Sequence, residues 1–220
     1  MNFYFIRHAE SFKTKEDRHG GVGLPLTEQG KLDVLDLISF LENIERLTFQ
    51  NSLFYCSDLI QVLETAKAIE DQRKISFQIS ADVKNISLGI LDGLSKEEAL
   101  KKYPVEASNL EKWRTGEIKI DDFTIPEAET MSQFYERVFK FISLSVLQSK
   151  DVVVIGTRSV GVAITNIFSN FSKAIDINNY KRFLFDPSSI SKFTYNSNKP
   201  NISYINRTDF LNTKANHPDE

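Results

Sequence analysis

The run Phe3-Tyr4-Phe5-Ile6 is apolar without a break and stops abruptly at Arg7 and His8, and Asp151-Val152-Val153-Val154-Ile155-Gly156 follows the same plan with β-branched residues. Runs of this length without polar alternation predict strands covered on both faces, as in parallel sheets. Leu53-Phe54-Tyr55-Cys56 predicts a third strand, the stretch near Ile75 to Ile79 a short fourth. Ile190-Ser191-Lys192-Phe193-Thr194-Tyr195 and Ile202-Ser203-Tyr204-Ile205 alternate like the arms of a hairpin, with Asn196 to Asn201 as the connection.

Between these runs the period changes to that of a helix. Thr27 is a suitable N-cap for a helix reaching about Leu47, in which Leu32, Leu35, Ile38, Leu41 and Ile44 recur at helical intervals and are expected in the core. Ser57-Asp58-Leu59 opens a helix carrying Val62, Leu63, Ala66 and Ile69. Ser95 with Glu98 has capping-box spacing and starts a helix that ends before Pro104. Thr130 with Gln133 does the same for a helix to about Gln148 on Phe134, Val138, Phe141, Ile142 and Leu147, and a further helix is predicted from about Val160 to Phe171. From Val105 to Ile125 the pattern is mixed. Strands interleaved with helices predict an α/β fold.

The length of 220 residues suits one domain, residues 1–211, followed by a solvated, disordered tail over 212–220 that includes His217. With Cys56 as the single cysteine no internal disulfide forms, which fits a reducing, cytoplasmic setting, and the side chain itself reads as a small buried apolar group. A net charge of −3 without a basic run argues against a nucleic-acid partner. The opening reaches Arg7 too soon for a secretory signal, and no apolar run approaches membrane-spanning length. Neither a metal nor a cofactor is expected.

A strand that ends in Arg7 and His8 places a guanidinium and an imidazole at the crevice where open α/β sheets bind ligands. The stretch Arg7-His8-Ala9-Glu10-Ser11 resembles the signature of the histidine phosphatase superfamily, the phosphoglycerate-mutase-like proteins, in which a strand runs into Arg-His-Gly-Glu-Thr/Ser. Pro25-Leu26-Thr27, Ser57-Asp58-Leu59-Ile60-Gln61-Val62-Leu63-Glu64-Thr65-Ala66, Asp82 to Gly93 with Gly89 and Gly93 in step, and Pro126-Glu127-Ala128-Glu129-Thr130 resemble further family blocks in order over most of residues 3 to 206. The resemblance implies a three-layer sandwich with a mostly parallel central sheet, a phosphoryl-accepting histidine at His8, a phosphate-binding arginine at Arg7 and a variable lid over about 94–129.

Three family positions are changed. The second phosphate-binding arginine falls on Gln61, the general-acid glutamate on Asn85 and the second histidine on Thr157. An amide brings no charge to a dianion and has no titratable proton to give. Arg158 is a candidate phosphate holder, although its side chain is expected to point one residue away from the required direction. Lys84 and Glu129 are the other candidate substitutes. The second Arg-His-Gly string, Arg18-His19-Gly20, lacks a preceding strand, so His19 is read first as a solvated loop histidine, with a place over the pocket as the alternative.

Counting one lost acid at roughly 10²–10⁴-fold and two lost charge stabilisers at about 10²–10³-fold each gives a deficit on the order of 10⁶ to 10¹⁰, smaller if the groups act as a unit. The first reading is therefore an eroded histidine phosphatase, weak or inactive, whose cradle keeps one imidazole and one guanidinium and binds a phosphorylated or anionic small molecule or a phosphoprotein. The second is a working phosphomonoesterase or mutase through phospho-His8, with Arg158 or Lys84 for charge and Asp58, Asp92, Glu127 or Glu129 as acid. The third is altered chemistry, with His8 as a base for a less anionic substrate.

Overall fold

The computed structural model describes residues 1–16, 18–20, 23–119, 123–174, 180–197 and 199–212; the tail expected over 212–220 lies outside them from 213 onward. One six-stranded sheet runs β3-β2-β4-β1-β5-β6. The strands are β1 (Asn2–Arg7), β2 (Leu53–Cys56), β3 (Gln78–Ile79), β4 (Val152–Gly156), β5 (Ile190–Asn196) and β6 (Lys199–Arg207). β1 to β4 are mutually parallel where they pair, whereas β5 and β6 are antiparallel additions at one side.

The uninterrupted apolar runs are explained by coverage on both faces. Tyr4 and Ile6 of β1, with Phe54, Cys56, Val153 and Ile155, face a layer made by α2 (Glu28–Asn43) and α3 (Ile60–Arg73). Phe3 and Phe5, with Val152 and Val154, face the opposite layer of α6 (Met131–Ser145) and α7 (Arg158–Asn170). Successive side chains of one strand therefore serve different layers, giving the three-layer α/β sandwich. At Gly161 a Cβ would lie 2.4 Å from the Phe5 ring, so only glycine lets α7 sit this close to β1. Cys56 is buried in the α2/α3 layer, and burial pushes its thiol up to about 11.

A satellite core of Leu91, Ala99, Ala107 and Leu110 holds α4 (Lys96–Lys102) and α5 (Pro104–Thr115). The capping boxes at Ser95/Glu98 and Thr130/Gln133 both form. α5 is a finding the mixed pattern did not predict. Pro104 stops α4 but occupies the first turn of the next helix, where its missing N–H has no partner to lose. A short helix, α1 (Phe12–Glu16), also stands in the expected loop.

Some expected core positions are exposed. In α2 the buried stripe is Val34, Leu37, Ile38 and Leu41, while Leu32, Leu35 and Ile44 face solvent, as does Leu147 beyond α6. α2 carries two apolar stripes, and spacing alone cannot say which meets the sheet. The hairpin is tighter than expected, its strands extending to Asn196 and Lys199. Pro200 is tolerated there because β6 is the sheet edge. No helix among the described residues is long and apolar enough to cross a membrane.

Candidate functional site

β1 and β4 run parallel in register, Arg7 opposite Gly156, so the residues that follow each strand emerge side by side. The His8 N–H donates to Gly156 O at 3.0 Å and the Ala9 N–H to Thr65 Oγ1 at 3.1 Å. The Arg7 N–H donates to Ser189 O at 3.0 Å, and the Ser188 N–H to His8 O at 3.3 Å. The strand end is thus fixed from three sides.

His8 is buried, and its Nδ1 lies 2.8 Å from its neighbour's carbonyl, Ala9 O. A carbonyl only accepts, so Nδ1 carries the proton and Nε2 keeps its lone pair. Burial and then the Arg7 charge push the His8 pKa down to about 3, which leaves the ring neutral at ordinary pH. Arg7 donates through Nη1 to Phe185 O, while its Nε is buried without a partner. Burial and the nearby Arg158 lower Arg7 to about 10, still a cation at neutral pH.

Gln61 is 1% exposed, with Oε1 unpartnered. Gly23, at φ +93°, passes so near that a Cβ there would stand 1.9 Å from that oxygen. Asn85 and Thr157 meet: Thr157 Oγ1 donates to Asn85 Oδ1 at 2.8 Å, and Ser159 Oγ donates to the same oxygen at 2.6 Å. Thr157 is the N-cap of α7, yet its hydroxyl makes no cap bond.

These groups line one cavity of about 470 Å³. Arg7, His8, Gln61, Asn85, Thr157 and Arg158 all reach it, so the expectation that Arg158 points away is corrected. As the first residue of α7 its side chain is directed by the helix rather than by the alternation of β4. Among the described residues Arg158 has no hydrogen-bond or ion-pair partner.

For His19 the favoured reading is corrected and the alternative, a place over the pocket, holds. His19 is 2% exposed and lines the cavity, with Nδ1 3.2 Å from Arg114 Nη2. Backbone bonds from His19 N to Leu94 O at 2.9 Å and from Gly93 N to His19 O at 3.1 Å stitch the supposed loop onto the following chain. Those partners are some 75 positions away in sequence, which is why local context hid them.

Lys84 and Glu129 are not brought to the cavity. Lys84 pairs with Asp58 at 3.1 Å. Glu129 accepts from Arg137 Nε at 2.6 Å and Nη2 at 2.8 Å, and Arg137 also donates to the carbonyls of Asp82 and Asn85. The pair anchors the segment that presents Asn85.

Sequence reasoning also missed most of the charge. Lys13, Arg18, Lys96, Arg114 and Arg182 join Arg7 and Arg158 in the lining, and among its described residues there is no carboxylate. The expected cradle with a single guanidinium is therefore corrected to one with several lining cations, of which Arg18 and Arg114 are paired with Glu98 and Glu111. Lys13, Lys96, Arg114 and Arg182 come from α1, α4, α5 and the segment after α7, none of which carries a resembled motif, and Arg18 comes from the string that lacked a preceding strand. Among the described residues no group of three His, Cys, Asp or Glu side chains could hold a metal.

A family model described as the histidine phosphatase superfamily (branch 1) matches residues 3–208. Among solved structures, YhfR of Bacillus stearothermophilus superposes with a TM-score of 0.80 at 18% identity, covering 96% of this chain and 98% of its own. The α-ribazole phosphatase of Shigella flexneri gives 0.75 at 19% identity, covering 94% and 96%. The phosphoglycerate mutase of Bacillus anthracis gives 0.73 at 18%, covering 96% and 95%. At such identities the likeness shows the fold, the helix-flanked sheet of phosphoglycerate-mutase-like proteins. No curated protein matches the chain by sequence.

Proposed function

The chain belongs to the histidine phosphatase superfamily, and from that premise we propose that it binds a phosphorylated or similarly anionic small molecule at His8, with slow or no turnover of ordinary phosphate esters. The observation that carries this reading is His8 held neutral with Nε2 open, beside a buried Arg7 with an unpartnered Nε, in a cavity without a described carboxylate. Arg7 and Arg158 offset the charge of a bound dianion. The first turn of α7, uncapped by Thr157, adds N–H donors.

Catalysis is limited by the proton. Phosphoryl transfer to Nε2 breaks the P–O bond and leaves an alkoxide, which departs poorly unprotonated. Asn85, bonded to two hydroxyls, has nothing to give, and none of Asp58, Asp92, Glu127 and Glu129 lines the cavity. With cations present, the deficit shrinks from the larger figure to that of the acid alone, roughly 10²–10⁴-fold.

The test pairs equilibrium dialysis of orthophosphate with turnover assays. Orthophosphate binding that is lost on Arg7→Gln, together with barely measurable hydrolysis of sugar phosphates, supports the reading. Brisk hydrolysis of an unactivated sugar phosphate, abolished by His8→Ala, overturns it.

A further inference from the structure

Beyond the anion-binding end, the cavity has a second half of different chemistry. Leu110, Trp113 and Arg114 come from α5, while Phe183 and Leu184 come from the segment after α7. Arg182 ties the two together: its Nη1 donates to Arg114 O and its guanidinium lies 5.6 Å from the Trp113 ring centroid. Met131 and Phe134 of α6 add apolar surface to the same lining. Leu184 is 79% exposed, an apolar side chain at the rim with nothing covering it.

The polar groups are as informative as the apolar ones. A sugar hydroxyl is a donor that needs an acceptor when it leaves water. Here the described lining offers cations and no carboxylate, and the Asn85 amide oxygen already accepts from Thr157 and Ser159. A polyhydroxylated body would accept from the cations through its hydroxyl oxygens, but for its O–H groups the described lining offers only neutral acceptors such as Gln61 Oε1, a poorer exchange for water than a carboxylate. A flat apolar body loses nothing and covers the wall. A volume near 470 Å³ exceeds what a phosphate alone requires and suits a small organic molecule.

We propose that the preferred ligands carry a phosphate-like head and a flat apolar body seated against Trp113, Phe183 and Leu184, in preference to sugar phosphates. The proposal rests on the anion-binding reading above for the head, and on the α5 wall for the body.

Trp113 is the single tryptophan, so its fluorescence reports on the wall without a label. Orthophosphate, 1-naphthylphosphonate and 2,3-dihydroxypropylphosphonate are titrated at fixed ionic strength by fluorescence and by calorimetry. The expected result is naphthylphosphonate binding at least tenfold more tightly than orthophosphate, with a change in Trp113 emission, and the dihydroxypropyl compound no more tightly than orthophosphate. Leu184→Ser and Trp113→Ala, read by calorimetry, should each bring the naphthyl-to-orthophosphate ratio toward one. Equal binding of the three anions, tighter binding of the hydroxylated one, or an unchanged ratio in both variants overturns the proposal alone. Failure of all three to bind removes the anion-binding reading and this one with it.

Discussion

Thr157 and Asn85 are bonded to each other, Oγ1 to Oδ1 at 2.8 Å, at the two positions where the resembled family places a phosphoryl-binding histidine and a proton donor. The two replacements form a matched pair, with Ser159 as a third member. A lone amide at position 85 would present an unpaired carbonyl oxygen to the cavity. With both hydroxyls donating to it, the Asn85 oxygen is satisfied in the lining of the cavity that also holds His8.

On the proposed reading, an acid at position 85 supplies the missing proton. In Asn85→Glu, turnover of alkyl phosphates is expected to rise by up to roughly 10²–10⁴-fold, while p-nitrophenyl phosphate, whose leaving group needs no proton, changes little. Steady-state assays with both substrates test this, and parallel gains on both would contradict it.

Arg158 is an exposed cation without a described partner, so its worth to an anion should be modest and screenable. Arg158→Gln is expected to weaken orthophosphate binding about tenfold at low salt and less at 1 M salt. An effect independent of salt would mean that Arg158 acts through structure instead.

The depressed pKa of His8 predicts acid sensitivity. An unfolded His8 takes up a proton near pH 6.5, whereas the folded one resists until about 3, so its contribution to stability is complete above 6.5 and is lost progressively as pH falls toward 3. The slope is at most about 1.4 kcal/mol per pH unit. Urea unfolding of parent and His8→Gln at pH 6.5 and 4.5 should show the parent losing more stability, by up to about 2–3 kcal/mol.

The Glu129–Arg137 pair is about one-fifth exposed on each side and fastens the segment carrying Asn85. Arg137→Ala should cost about 1.5–3 kcal/mol in denaturant unfolding. Gly161→Ala tests packing in the same layer: its methyl meets the Phe5 ring, and overpacking of this kind costs about 1–3 kcal/mol. A neutral result would show that α7 can retreat from β1 freely.

Where a local pattern decides the outcome, the sequence was enough. β2 and the two capping boxes were read from their own residues, and His8, Arg7, Gln61, Asn85 and Thr157 do gather around one cavity. Features set by distant contacts were not legible. Leu32 and Leu35 form as good a stripe as Val34 and Leu37 until the sheet selects one. α5 is held by the satellite core and by Arg182 rather than by a strong period of its own. Lys13, Lys96 and Arg114 converge because separate elements fold together, which no motif spacing announces.

The alternation of β1, with Phe3 and Phe5 toward one helical layer and Tyr4 and Ile6 toward the other, continues into the two residues that matter for chemistry. Inserting or deleting a single residue between Ile6 and Arg7 would either exchange Phe3 and Phe5 with Tyr4 and Ile6 between layers or trade the places of guanidinium and imidazole. The first few residues of this protein are thus its reading frame in space: they admit changes of letter far more readily than a change of count.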